Sequence, residues 1–149
     1  MKKVNFILLC LATLLATACA TDKHALVNHP QKMVDAVTTK YPESKNTLIF
    51  IEAPDGFVAP GIANSAVENG IDNADVVAIT SALALKTTTV IVAGDDETLT
   101  ATTLAQVFKT GKDKINGSKA IVVGLKESQK TLADLATASG VTLEFIDNI

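Results

Sequence analysis

Three short runs of apolar, mostly β-branched residues constrain this chain more than any other feature. They are Leu48-Ile49-Phe50-Ile51, Val90-Ile91-Val92-Ala93 and Ala120-Ile121-Val122-Val123. A continuous apolar run of this length is the mark of a strand covered on both faces, whereas a half-solvated strand alternates. A fourth run, Val141 to Ile146, does alternate: Val141, Leu143 and Phe145 face one way, Thr142 and Glu144 the other. It reads as an edge strand or one with a wetter face.

Helical patterns fill the gaps between the runs. Pro30 suits the first turn of a helix, Met33, Val37 and Tyr41 share one face with Val34 beside them, and Pro42 ends it. A short helical piece is expected over Ile62 to Asn69, stopped by Gly70. Asp75 to Lys86 reads as a helix through the spacing of Val76, Ile79 and Leu83, with Asp72-x-x-Asp75 as a capping arrangement. A strand there would lie too close to the one starting near Thr88, because a parallel crossover needs about a dozen residues. Asp95 or Asp96 caps a helix running through Lys109, with Ala101, Leu104, Ala105 and Phe108 inward and Gly111 as a left-handed stop. Asn116-Gly117 supplies a turn. Ser128 caps the last helix, with Leu132, Leu135 and Ala136 inward and Gly140 as terminator. Strands alternating with helices predict an α/β three-layer sandwich. Its mainly parallel sheet has about four strands in the sequence β-α-β-α-β-α-β, preceded by one helix. Strand order cannot be read from these patterns.

Ligands of open parallel sheets sit beyond the carboxyl ends of the strands. Those ends carry Glu52-Ala53-Pro54-Asp55-Gly56, Gly94-Asp95-Asp96-Glu97, Gly124-Leu125-Lys126-Glu127-Ser128 and Asp147-Asn148. Carboxylates converging there suit a hard cation such as Mg²⁺ or Ca²⁺, which makes Glu52, Asp95 and Asp96 the candidate metal ligands. Asp55, Gly94, Lys126 and Ser128 are the candidate ligand contacts, through glycine N–H groups and the Lys126 charge. The stretches "LIFIEAPDG" and "VIVAGDDE" resemble the Toprim fold of topoisomerases and primases, in which acidic residues follow the strands. The likeness covers these two stretches only. It departs at Asp95-Asp96-Glu97, which stands in place of a DxD-like pattern, and the chain has no Arg. Helix capping, favoured by the dipole at a helix N-terminus, is the reading adopted for Asp95 and Asp96.

Other chemistries find little support. His24 and His29 lack Cys or carboxylate companions, no G-x-S-x-G elbow surrounds any Ser, and Gly94-Asp95 lacks the further glycines or Lys of a nucleotide loop. Lys109, Lys112, Lys114 and Lys119 cluster near a helix end, where they complement its dipole. An acidic chain with no Arg and 4% aromatic residues offers neither the basic stripe nor the stacking rings of a nucleic-acid binder.

The N-terminal segment sets the expected address. Lys2 and Lys3 precede an apolar run from Phe6 to Ala16, and small residues follow. That is the layout of a secretory signal, and the run is shorter than the roughly 20 residues a membrane span needs. Ala18-Cys19-Ala20 fits an A-x-A cleavage site that would release a chain starting at Thr21. Ala16-Thr17-Ala18-Cys19 resembles a bacterial lipobox, departing from it at Ala16, where Leu is usual. The lipobox reading is adopted: residues 1–18 as a lipoprotein-type signal peptide, an acylated (palmitate-type) Cys19, a tether over 19–29 and an α/β domain over 30–149. The resemblance to lipoproteins implies attachment to a lipid bilayer through Cys19. Ala20 in place of the Asp that retains lipoproteins in the inner membrane implies the outer membrane, facing periplasm or cell surface. No cysteine follows Cys19, so the domain holds no internal disulfide. Loss of Lys2 and Lys3 leaves 11 of the 13 Lys against 16 acidic residues, a formal charge of −5 in place of −3. The expected function is that of an envelope lipoprotein whose non-catalytic domain binds a protein partner or serves as an accessory subunit. The alternatives are a metal-assisted enzyme or a small-molecule binder at the strand ends, and no cofactor is specified.

Overall fold

The computed structural model describes residues 35, 37–42, 45–54, 59–70 and 73–147. The expectations for the signal segment, Cys19, the tether, the Pro30 helix start, Asp55, Asp72 and Asn148 lie outside the described residues. Four strands form one sheet: β1 (Asn46–Ile51), β2 (Thr89–Gly94), β3 (Lys119–Val123) and β4 (Thr142–Ile146). All pairs are parallel and the spatial order is β1-β2-β3-β4. The helices are α1 (Ala59–Glu68), α2 (Ala74–Ala84), α3 (Glu97–Thr110), α4 (Lys112–Ile115) and α5 (Gln129–Ala138). Residues 37–40 form a further helical turn ahead of β1. With helices on both faces of a parallel sheet, this is the expected α/β three-layer sandwich.

The strand order explains which face each helix covers. When consecutive parallel strands are neighbours throughout, right-handed crossovers all fall on the same face. The main core accordingly joins Ile51, Val90, Val92, Ala120 and Val122 of the sheet to Val67 of α1, Ile79 and Leu83 of α2, Leu104 and Phe108 of α3 and Leu132 of α5. The opposite face carries Leu48, Ile91, Ile121, Val123 and Ile146, and Val37 and Tyr41 of the N-terminal turn pack on it. Tyr41 N–H donates to Val37 C=O at 2.8 Å, which keeps the turn helical up to Pro42.

Several local readings change. The continuous run of β1 is an edge strand: Ile49 and Ile51 pack on the main core and Leu48 on the opposite face, but only Ile51 of its residues is fully buried. Periodicity cannot see this, because being an edge is a property of order. The segment after Asn73 is helical as expected, but Asn73 is the cap, accepting from Asp75 N–H at 2.7 Å. Asp96, not Asp95, caps α3, accepting from Leu99 N–H at 2.7 Å. Gly111 is not left-handed: its φ is −86°, because the chain runs straight on into α4. Glycine is required there for space, since a Cβ would stand 2.7 Å from the Val107 carbonyl. Ser128 precedes α5 but makes no side-chain cap hydrogen bond. Gly70 and Gly140 do end their helices with positive φ, as expected.

Candidate functional site

The carboxyl edge of the sheet brings the ends of β1, β2, β3 and β4 side by side in that order. Three of the acidic residues on it, Asp95, Asp96 and Glu97, accept main-chain N–H groups. Asp95 Oδ1 accepts from Ala53 N–H at 3.1 Å, tying the end of β2 to the end of β1. Asp96 is occupied at the start of α3. Glu97 Oε1 accepts from both Lys126 N–H, at 2.7 Å, and Glu127 N–H, at 2.9 Å, tying α3 to the loop after β3. Gly124 N–H donates to Ile146 C=O at 3.0 Å, and Gln129 Nε2 donates to Leu125 C=O and to Asp147 Oδ1. These contacts form a continuous belt across all four strand ends. A carboxylate accepting a backbone N–H is partly satisfied, which stabilises the contact and leaves fewer lone pairs for a ligand.

Glu52 is exposed and takes no part in the belt through any described contact. Its charge acts on Asp75 in the first turn of α2. Burial, first, and then the nearby Glu52 charge push the Asp75 carboxyl above its ordinary range. The Glu52 charge thus bears on Asp75, while Asp95 and Asp96 turn to other partners. Among the described residues no group of three or more His, Cys, Asp or Glu side chains is placed to hold a metal ion. Gly94 owes its identity to packing: a Cβ there would meet Thr100 Oγ1 at 2.2 Å and the Ile51 carbonyl at 2.8 Å. Lys126 is exposed and Ser128 half-buried. Three surface grooves of about 340, 350 and 250 Å³ lie among the helices, and none is lined by Glu52, Gly94, Asp95, Asp96, Lys126 or Ser128.

Topology gives a physical reason. Ligand crevices in open α/β sheets form where strand order reverses, so that successive crossover helices diverge to opposite faces. The order β1-β2-β3-β4 contains no reversal. The loops at the strand ends lie on one side and knit together.

A second polar cluster, not anticipated from sequence, sits on the other face. Tyr41 Oη donates to Glu144 Oε2, and Lys119 Nζ lies 2.7 Å from Glu144 Oε1 and 4.8 Å from the centre of the Tyr41 ring. Lys40 Nζ approaches the same ring at 5.4 Å. The hydrogen bonds from Lys119 and Tyr41 hold the Glu144 carboxyl below its ordinary range, and the bond to Glu144 raises the Tyr41 phenol. The cluster fastens the segment ahead of β1 to the β3–β4 edge. Glu144 was visible as a polar residue in an alternating strand, but pairing it with Lys119 and Tyr41 needed the strand order. Comparison of the chain with protein-family models, with curated proteins and with solved structures found no match.

Proposed function

We propose that this chain is a bacterial envelope lipoprotein, anchored through an acylated Cys19, whose α/β domain acts by binding as an accessory subunit. The observation that carries the non-catalytic part is the belt at the strand ends. Asp95, Asp96 and Glu97, the acidic group that a metal-assisted reaction would recruit there, each accept a main-chain N–H. A cation bound by any of them would have to share a carboxylate already engaged at a main-chain N–H. The anchor rests on Ala16-Thr17-Ala18-Cys19 following the Phe6 to Ala16 apolar run.

The test of the anchor is Cys19→Ser in the native envelope. The parent chain should incorporate labelled palmitate and sediment with membranes, and the variant should lose both properties. A parent chain found soluble and beginning at Thr21 would overturn the anchor. For the domain, millimolar Mg²⁺ or Ca²⁺ should leave the melting temperature unchanged; a rise that grows with cation concentration would favour a metal-assisted enzyme.

A further inference from the structure

The exposed large apolar side chains among the described residues are Val77, 56% exposed, and Leu85, 66% exposed. Both lie on the outer face of α2 and its C-cap. From Val76 to Leu85 the sequence VVAITSALAL has no charge. Ile79 and Leu83 enter the core, while Ala74, Val77, Ala78, Ser81 and Leu85 face solvent on the opposite side. A helix that is apolar on every side is normally covered on every side.

The two ends of α2 differ in charge. Asp75, half-buried, lies in its first turn. Lys86 lies exposed at the C-terminal end, in a left-handed conformation with φ of 56° that terminates the helix. A groove of about 340 Å³ runs beside α2 from Asn73 to Ser81, lined also by Gln106 and Lys114. Leu85 projects about one turn beyond it.

We propose that the outer face of α2 pairs with the α2 of a second copy of this chain, antiparallel across a two-fold axis near Ala78 and Ser81. In that arrangement each copy's Leu85 meets the other's groove near Asn73 and Val77. Each Lys86 meets the acidic N-terminal end of the other helix, and the helix dipoles oppose favourably. Knob and groove on one helix, acid at one end and base at the other, make the surface self-complementary, which an isologous interface requires. A partner of other chemistry would need only one half of this pattern. The pairing does not depend on the anchor at Cys19.

The experiment is thiol crosslinking of the full chain in cells with Ser81→Cys, the parent chain reporting any contribution from Cys10 and Cys19. Thr131→Cys, exposed on α5, is the control for random collision. Ser81→Cys should give a covalent dimer well above both. Adding Lys86→Glu places like charges together at two symmetric points and should weaken association roughly ten-fold. Val77→Lys should act in the same direction. Ala78→Cys is the second reporter, and thermal melting of each variant verifies that it is folded. Dimer yield from both Ser81→Cys and Ala78→Cys no higher than from Thr131→Cys would overturn the proposal. So would a yield indifferent to Lys86→Glu, or an adduct with a different protein in place of a dimer.

Discussion

Replacing Asp96 with Ala separates a capping carboxylate from a metal-binding one by the sign of its effect. Asp96 accepts from Leu99 N–H at 2.7 Å, and its own carbonyl accepts from Thr100 N–H at 3.0 Å and Thr100 Oγ1 at 2.7 Å. The Asp96→Ala variant would keep the carbonyl contacts and lose the side-chain cap, leaving one N–H of the first turn without its protein partner. Loss of such a cap costs about 1 kcal/mol. For a domain of this size that lowers the melting temperature by about 4 °C. Asp96→Asn keeps an acceptor oxygen at the cap, so it should retain most of that stability, short of the few tenths of a kcal/mol the charge gains from the helix dipole. In an empty metal site the logic reverses: removing one of several convergent carboxylates relieves repulsion and stabilises the metal-free protein. Chemical denaturation of parent, Asp96→Ala and Asp96→Asn decides the matter. A gain in stability for Asp96→Ala, or equal losses for Ala and Asn, would refute the capping argument and with it the reading of the belt.

Glu97→Ala should destabilise by about 1–2 kcal/mol in the same assay, because two loop N–H groups lose a charged acceptor. Gly94→Ala should cost about 1–3 kcal/mol through overpacking against Thr100 and Ile51, and Thr100→Ala should recover part of it in a double-mutant cycle. Glu144 sets an acid dependence. Its carboxyl is held low in the fold, so its contribution is complete above the ordinary carboxylate pKa and is lost as pH falls through the folded value. Glu144→Gln should therefore flatten the acid limb of the stability curve. Tyr41, raised in the fold, contributes below its ordinary pKa of 10.0 and loses that contribution as pH rises through the folded value. Tyr41→Phe should flatten the alkaline limb, read by thermal melting at a series of pH values.

The parts of the fold legible in the sequence are those that depend on a single element. The cores of β2 and β3, the inward faces of α3 and α5 and the alternation of β4 all follow from periodicity, which burial imposes residue by residue. The α2 segment was legible by exclusion, because a strand there could not have crossed over in time. What escaped depends on relations between elements. The edge position of β1, the joining of Ala53 to Asp95 and of Glu97 to Lys126, and the meeting of Tyr41 with Glu144 all require the strand order. The acidic residues at the strand ends were visible as a group, but a carboxylate that ligates and one that accepts from a loop look alike until the loop N–H is placed beside it.

The strand order also accounts for the arrangement on the second face. Because the crossovers stack their helices on one side of β1-β2-β3-β4, the apolar row Leu48, Ile91, Ile121 on the other side needs a cover from outside them. Burying that row against an apolar side chain is favourable at about 25 cal/mol per Å². Val37, fully buried, supplies such a side chain from the chain ahead of β1, and Tyr41 extends the contact to the row's polar end at Glu144. The residues that complete the sheet's second layer therefore belong to the segment that follows the expected tether. If they contribute to the stability of the sheet, Val37→Ala should cost about 1–3 kcal/mol in chemical denaturation. Cooperative unfolding of Val37→Ala at the denaturant midpoint of the parent would show that the second layer rests on the sheet without stabilising it.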